Sequence, residues 1–275
     1  MLGKLMKHEF RATARTMLPM FGVVLLLSLL ANLSFTRVAG AEDSPLEILF
    51  LLFIIAFFMG LFAMCILSLV VMIERFYKNL LGNEGYLTMT LPVNVHEILW
   101  SKLIVSFVWF LATGIVAVAA IFISVFTITY SEIGEVFRSM PPLRELLRMF
   151  FEESGITPWE LTSFMLQMLA MMILSSLIVC LHFYAAMALG HSFSNNKVLL
   201  SIVFFIAISF FFQFVTALMG IYSDGFAVMV MAETSSSVMK ALQSLSLGSM
   251  IYMLIEGLIL YLLTTYCLKN RLNLS

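Results

Sequence analysis

The sequence predicts an all-α integral membrane protein: a single transmembrane domain over residues 1–275, with six membrane-spanning helices, an N-terminal in-plane amphipathic helix and both termini in the cytoplasm. Composition, the length of the apolar runs and the placement of basic residues lead to this prediction. Of the 275 residues, 62% are hydrophobic and 11% are charged, and the mean hydropathy is +1.05. Soluble domains of this length carry about a quarter charged residues, so we expect lipid to be the main solvent.

Six apolar runs are long enough to cross a bilayer as helices. A hydrocarbon core about 30 Å thick needs roughly 20 helical residues at a rise of 1.5 Å each. The sequence lacks the period-two alternation of a membrane β-barrel, so helices are the remaining spanning structure. The predicted spans are 17–35, 46–73, 103–130, 161–190, 198–221 and 247–267.

Basic residues divide unequally between the two sides of these spans. Ten lie on one side, in the N-terminal segment, the 74–102 connection, the link before the fifth span and the tail. Five lie on the other side. Because cytoplasmic connections are enriched in Lys and Arg, both termini are expected inside.

The N-terminal segment, residues 1–16, has apolar and basic residues on different helical faces. The apolar set is Leu2, Leu5, Met6 and Phe10, and the basic set is Lys4, Lys7, Arg11 and Arg15. The pattern favours a helix along the membrane surface, with a simple positive anchor as the alternative. No small-residue cleavage pattern follows the first apolar run, so we expect that run to be retained.

The 74–102 connection is too polar for the membrane interior and too apolar for an extended loop. Its first part is expected to extend the second helix to Leu81. Beyond that point a turn is indicated by Gly82, Asn83 and Gly85. Pro92 is typical of a residue that stops a helix.

A new helix is expected to start near Asn94, because Asn94 and Glu97 have capping-box-like spacing. The 74–102 connection would then be a compact elbow between the second and third helices. From the residues alone, this elbow either packs into a groove of a partner or dips back to the membrane surface.

The connections on the predicted external face are 131–160 and 222–246. The first contains MPPLRELLRMFFEES, where two prolines precede an i, i+3, i+4, i+7 apolar pattern typical of a short amphipathic helix. That pattern is formed by Leu143, Leu146, Leu147 and Phe150. The second is a surface loop or a partly re-entrant segment.

Motifs for catalysis are absent from the sequence. It has no P-loop, no HExxH, no GxSxG and no dinucleotide fingerprint, so we expect neither an enzyme nor a bound cofactor or metal. The nearest catalytic pattern joins Glu152 and Glu153 to His182 and His191, but the predicted topology puts the glutamates on the opposite side from His191. The three cysteines have no CxxC spacing and are predicted to be small buried apolar residues: Cys65, Cys180 and Cys267. A net charge of -1 excludes a broadly basic nucleic-acid binder.

Sizeable polar residues inside the spans include Glu256, His182, Gln167 and Gln213. Each costs free energy when it faces lipid, so each is expected to face protein or a water-filled path. Hydrogen bonding between helices is the favoured interpretation for the two glutamines. For Glu256 two interpretations stay open. It either sets helix packing or lines a substrate path, and in the second case His182 would be another lining residue.

Taken in order, these features resemble those of a known family. The amphipathic KLMKHEFRATART precedes six spans, RFYKNLLGNEGYLTMTLPV follows the second span, and LKNRLNLS forms a short basic tail. The most specific part is RFYKNL at residues 75–80, with EGYL at 84–87 and TLPV at 90–93. Over essentially its whole length the chain resembles permease subunits of bacterial ABC exporters of the type-2 permease class.

The resemblance implies a multi-pass protein of the bacterial plasma membrane, in which two permease subunits, identical or different, assemble with two separate ATPase subunits. ATP and Mg²⁺ would bind the ATPase partner, and no nucleic acid is involved. The elbow would be the coupling helix seated in the ATPase, through Glu84, Gly85, Tyr86, Leu87, Leu91 and Pro92. Phe10 and Arg11 would belong to a connecting helix that also touches the ATPase, and 222–246 would form short re-entrant helices.

Two rival functions remain from the sequence. A proton-coupled secondary transporter would use Glu256, although the sequence has no evident internal repeat and no Gly/Pro-broken spans in matching positions. The second rival function is that of a membrane scaffold or sensor subunit that transports nothing.

Overall fold

The computed structural model describes residues 2–38, 46–82, 85, 90, 93–139, 141–193, 196–220 and 234–271. Over these ranges the chain forms helices and no strand, which confirms the predicted all-α class for the described residues. The long elements are α1 (Leu2–Val38), α2 (Leu46–Phe76), α3 (Val95–Ser139), α4 (Leu143–Ser154), α5 (Pro158–Gly190), α6 (Lys197–Leu218) and α7 (Ser235–Asn270). A π-helical turn, Tyr77–Leu81, continues α2.

Six of these helices, all but α4, are long and apolar enough to cross a membrane. Over the described residues the six predicted spans are therefore confirmed as helices, except that the fifth ends at Leu218. Most of these helices are longer than the apolar runs from which they were predicted. Hydropathy identifies only the residues suited to the lipid interior, whereas capping and helix-breaking residues set where a helix ends. Residues 131–139 and 235–246, assigned above to external connections, are the last turns of α3 and the first turns of α7, and the rest of the 222–246 connection before residue 234 lies outside the described residues.

α1 joins the N-terminal segment to the first span without a break. Its 37 residues make a helix about 55 Å long, well beyond a hydrocarbon core of about 30 Å. The segment 1–16 is thus no separate element among the described residues, and its placement in the membrane plane stays a prediction.

α4 confirms the short amphipathic helix predicted after Pro142. Gly155 ends it in the left-handed conformation at φ 64°, which a glycine adopts without strain. Leu147 and Phe150 are exposed, as expected for an apolar stripe on a surface helix.

The outward faces of the long helices are apolar. Leu26, Phe62, Val118, Phe214 and Leu258 are each more than half exposed. In a water-soluble protein such continuous faces would be an aggregation hazard, whereas in a bilayer they contact lipid tails.

The chain divides into two compact units. The first comprises residues 1–75 and 100–140, with a core built around Trp109 of α3. Phe10 and Phe21 of α1 lie 6.3 and 6.0 Å from the Trp109 ring, and the indole N–H donates to Thr13 Oγ1 at 2.7 Å. Asn32 of α1 donates to the carbonyls of Ile123 and Ser124 on α3 at 2.9 and 3.2 Å, which fixes α1 against α3 at a second level.

The second unit comprises residues 76–99 and 141–275, and α5 is the helix against which both α6 and α7 pack. α5 and α7 run in the same direction. Near their starts Gln243 Nε2 donates to the Glu160 carbonyl at 2.7 Å, and one turn further Ser246 donates to Gln167 Oε1 at 2.5 Å. The interhelical interpretation of Gln167 is therefore confirmed.

α6 returns antiparallel to α5, and the two helices are in close contact at Gly190. A Cβ atom added there would lie 2.6 Å from Ser201 N and 2.8 Å from Lys197 O. Both are backbone atoms of α6, which cannot rotate aside as a side chain can.

We expect Gly190→Ala to separate α5 from α6 and to lower the free energy of unfolding by about 1–3 kcal/mol. The measurement is equilibrium unfolding in mixed SDS and dodecylmaltoside micelles. Gly114→Ala is the matched control, because nothing lies within 4 Å of a Cβ at Gly114. Equal stability of the two variants would contradict the close contact.

Candidate functional site

The elbow between α2 and α3 is described at its two ends. The helix continues from α2 to Leu81, as predicted, but its last turn is π-helical, and Gly82 N–H closes it on Tyr77 O at 2.8 Å. Gly82 leaves the helix in an extended conformation that any residue adopts, and its carbonyl accepts from the Gly85 N–H at 2.8 Å, as expected for the predicted turn. Its small size still matters, since a Cβ would lie 3.1 Å from the Lys78 carbonyl.

α3 begins at Val95, which confirms the predicted start at Asn94. The Asn94 carbonyl accepts from Glu97 N at 2.9 Å and from Ile98 N at 3.2 Å. Of the predicted coupling residues, Gly85 is described: it is buried, and its N–H donates to Gly82 O at 2.8 Å. The others lie outside the described residues: Glu84, Tyr86, Leu87, Leu91 and Pro92.

Aromatic contacts tie the first end of the elbow to α5. The rings of Phe76 and Tyr184 stack at a centroid distance of 3.9 Å and an interplanar angle of 9°. The next residue, Tyr77, meets His191 edge-on at 5.4 Å. The π-helical turn widens the helix here, and both Leu80 and Leu81 are buried.

The second end of the elbow is tied to α7. His96 Nδ1 lies 2.6 Å from the Tyr261 hydroxyl, and Ile98 and Leu99 are buried. Sequence reasoning missed these anchors, although clustered aromatic and histidine residues beside the elbow were a signal for them. The elbow is therefore fixed at both ends to helices other than the two it connects.

His191, at the end of α5, is a neutral anchor for Tyr77. Its Nδ1–H donates to the Met187 carbonyl at 2.9 Å, since a carbonyl can only accept. Burial lowers the pKa of His191 below its ordinary value, the Met187 carbonyl opposes that effect, and Lys197 adds to it.

A buried ion pair ties the N-terminal part of α1 to α3. Lys102 Nζ lies 2.8 Å from Glu9 Oε1 and donates to the Arg75 carbonyl at 3.3 Å, with the Lys102 side chain 4% exposed. Lys102 therefore joins α1 to residues on both flanks of the elbow. Of the two predicted connecting-helix residues, Phe10 packs against Trp109 and Arg11 is exposed.

His182 and Glu256, considered separately at the level of sequence, form a pair between α5 and α7. His182 Nε2 lies 3.3 Å from Glu256 Oε1, with the side chains 15% and 10% exposed. His182 Nδ1 lies 3.1 Å from the Ile178 carbonyl and must donate to it. A second proton must therefore lie between His182 Nε2 and the Glu256 carboxyl group for the two to attract. Either the imidazole or the carboxyl group carries that proton.

A cavity of about 550 Å³ opens beside this pair. It is lined by residues of α5, α6 and α7: Met171, His182, Ser209, Phe212, Gln213, Thr216, Ala217, Ser249, Tyr252, Met253 and Glu256. Gln213 therefore lines a cavity, and its predicted role in helix packing stays a prediction.

The remaining candidates lie apart from these sites. Glu152 makes an exposed pair with Arg148 on α4, at 2.7 Å. In the part of the chain described, no group of three or more His, Cys, Asp or Glu residues is placed to hold a metal ion. Cys180 and Cys267 are buried as predicted, whereas Cys65 is exposed on the apolar face of α2, because a thiol suits lipid as well as a core.

We expect Glu9→Leu to remove the carboxylate that lies against the buried Lys102 ammonium, at a cost on the order of 3 kcal/mol in the free energy of unfolding. Glu9→Leu/Lys102→Met removes both charges and should recover most of the loss. Equilibrium unfolding in mixed micelles measures both. Glu152→Leu, which breaks an exposed pair, should change stability little. A double variant no better than Glu9→Leu would show that the pair is not the source of the effect.

We also expect acid to loosen the His191 anchor. Because its pKa is lower in the folded state, the unfolded chain takes up the proton first, and this contribution to stability is lost as the pH falls below about 6.5. Thermal unfolding in detergent between pH 7.5 and 5.5 should show a smaller loss for His191→Gln than for the unmodified protein. Parallel pH profiles would contradict this.

Comparison with known proteins leaves the family open. No protein-family model, no curated protein and no solved structure matches the chain. The candidate sites are defined by their own residues and geometry.

Proposed function

We propose that the chain is the membrane-spanning permease subunit of a bacterial ABC exporter, which forms the substrate path and couples to a separate ATPase subunit. The supporting observation is the elbow, whose two ends are fixed by Phe76, Tyr77 and His96 to α5 and α7. A connection meant only to link two helices needs no such anchors. A π-helical turn at its start is a further sign, since such turns are frequent at functional sites.

The anchors give the elbow a mechanical role. A partner that displaces the elbow would move α2 and α3, which continue from it, and would also move α5 through Tyr184 and α7 through Tyr261. Because α5 and α7 line the cavity, that displacement reaches the space where a substrate would lie.

The N-terminal part of α1 offers the ATPase a second contact. Glu9 holds it to Lys102, while Arg11 is exposed for a partner. In this proposal ATP and Mg²⁺ bind the partner, because the chain has no P-loop. A second permease subunit would complete the assembly in the bacterial plasma membrane.

One observation favours a second candidate function. The His182–Glu256 pair holds a proton inside the helical bundle, which is what a proton-coupled carrier requires. Such a carrier would work without an ATPase, so the same experiment decides between the two functions.

We expect a mild-detergent pull-down of the tagged protein from its native membranes to recover a P-loop ATPase at about one copy per permease. Gly85→Pro removes the N–H that donates to Gly82 and should lower that recovery several-fold, because it distorts the docking surface. Gly85→Ala keeps the N–H and is the matched control. The readout is quantitative mass spectrometry.

Absence of any ATPase from a folded, monodisperse preparation would contradict the exporter proposal and favour the proton-coupled carrier. Equal ATPase recovery with Gly85→Pro would instead place the docking surface away from the elbow.

A further inference from the structure

The cavity between α5, α6 and α7 contains one acidic group in otherwise neutral surroundings. Among its described lining residues, α5 contributes His182 as the titratable side chain and α7 contributes Glu256 and Tyr252. The polar lining residues of α6 are uncharged: Ser209, Gln213 and Thr216. Tyr252 already donates its O–H to the Phe212 carbonyl at 2.8 Å. The charge of the cavity is therefore set by the His182–Glu256 pair.

The geometry of the pair fixes its proton count. His182 Nδ1 keeps its proton, because the Ile178 carbonyl 3.1 Å away accepts from it. The contact between Nε2 and Glu256 Oε1 holds one more proton, so the pair is neutral whether that proton lies on the imidazole or on the carboxyl group. Loss of the shared proton leaves neutral His182 beside an ionised Glu256, with a net charge of −1.

We propose that this cavity binds a lipophilic organic monocation, and that each bound cation displaces the shared proton of the His182–Glu256 pair. The charges balance: the empty site is neutral with its proton, and the loaded site is neutral with its cation. An unpaired carboxylate at this depth is costly, so a single positive charge is the counterpart that the site lacks once the proton leaves.

The lining favours an organic cation over a bare metal ion. A volume of about 550 Å³ is in the range of small-molecule pockets and far exceeds the coordination shell of an ion. Phe212 and Tyr252 offer aromatic faces for a cation, and Met171 and Met253 offer adaptable apolar surface. The proposal holds whether transport is driven by an ATPase or by protons.

The test is binding of tetraphenylphosphonium to the full chain in nanodiscs of zwitterionic lipid. This probe is a permanent monocation without a dissociable proton. Isothermal titration calorimetry in two buffers of different ionisation enthalpy gives the number of protons released. We expect about one proton per bound cation, and an affinity that rises about tenfold per pH unit while the pair is protonated.

Glu256→Gln keeps an amide N–H that can donate to His182 Nε2, so the helix pairing survives while the charge is lost. We expect this variant to bind the probe at least tenfold more weakly and without pH dependence. Glu152→Gln, which neutralises an exposed carboxylate on α4 that does not line the cavity, should keep both the affinity and the proton release. Triphenylphosphine oxide, a neutral counterpart of the probe, should release no proton.

Three results would overturn the proposal: no binding at any pH, binding without proton release, or unchanged binding by Glu256→Gln. None of them bears on ATPase recovery, which is measured separately, so failure of this proposal and failure of the proposed function are distinguishable.

Discussion

A polar group left unpaired in hydrocarbon costs several kcal/mol, and this cost governs which long helices pair within each of the two compact units. In the described residues, every buried side-chain nitrogen and oxygen has a hydrogen-bond partner. Hydroxyl groups meet the requirement within their own helix, as Ser68 does with the Cys65 carbonyl and Thr264 with the Leu260 carbonyl. Larger polar groups have more atoms to satisfy than their own helix supplies, and Asn32, Gln167 and the His182–Glu256 pair reach across to another helix.

These larger polar groups therefore specify which helices meet. Apolar side chains gain little by leaving lipid for each other, so they do not by themselves select a neighbour. The hydrogen bonds of Asn32 specify that α1 packs against α3. The contacts of Gln167 and His182 specify that α5 packs against α7. Gly190 specifies the pairing of α5 with α6 by its small size, because it lets the backbone of α6 come into contact with α5.

The features that the sequence could predict are those with local causes. Helix length follows from apolar runs, the start of α3 follows from Asn94, and α4 follows from the pattern after Pro142. Contacts between helices could not be predicted, because nearly uniform apolar helices mark no face for their neighbours. For this reason the sequence did not predict that His182 pairs with Glu256. Nor did it predict the different surroundings of Gln167 and Gln213 or the exposure of Cys65. The join of residues 1–16 to the first span was missed for a related reason, since polarity changes there while the helix continues.

The two candidate sites lie on the same two helices, and their spacing gives the proposed coupling a physical basis. On α5, Tyr184 and His191 hold the elbow while His182 faces the cavity, so about 14 Å of helix or less separates anchor from cavity. On α7, Tyr261 and Glu256 are separated by about 7.5 Å. Over such distances an α-helix moves as a rigid rod, because the N–H groups beyond its first turn are hydrogen-bonded to carbonyls within it. A displacement of the elbow that shifts α5 relative to α7 would change the distance between His182 and Glu256 directly. The proton held between them, and any cation that replaces it, would then respond to the position of the elbow without a separate relay.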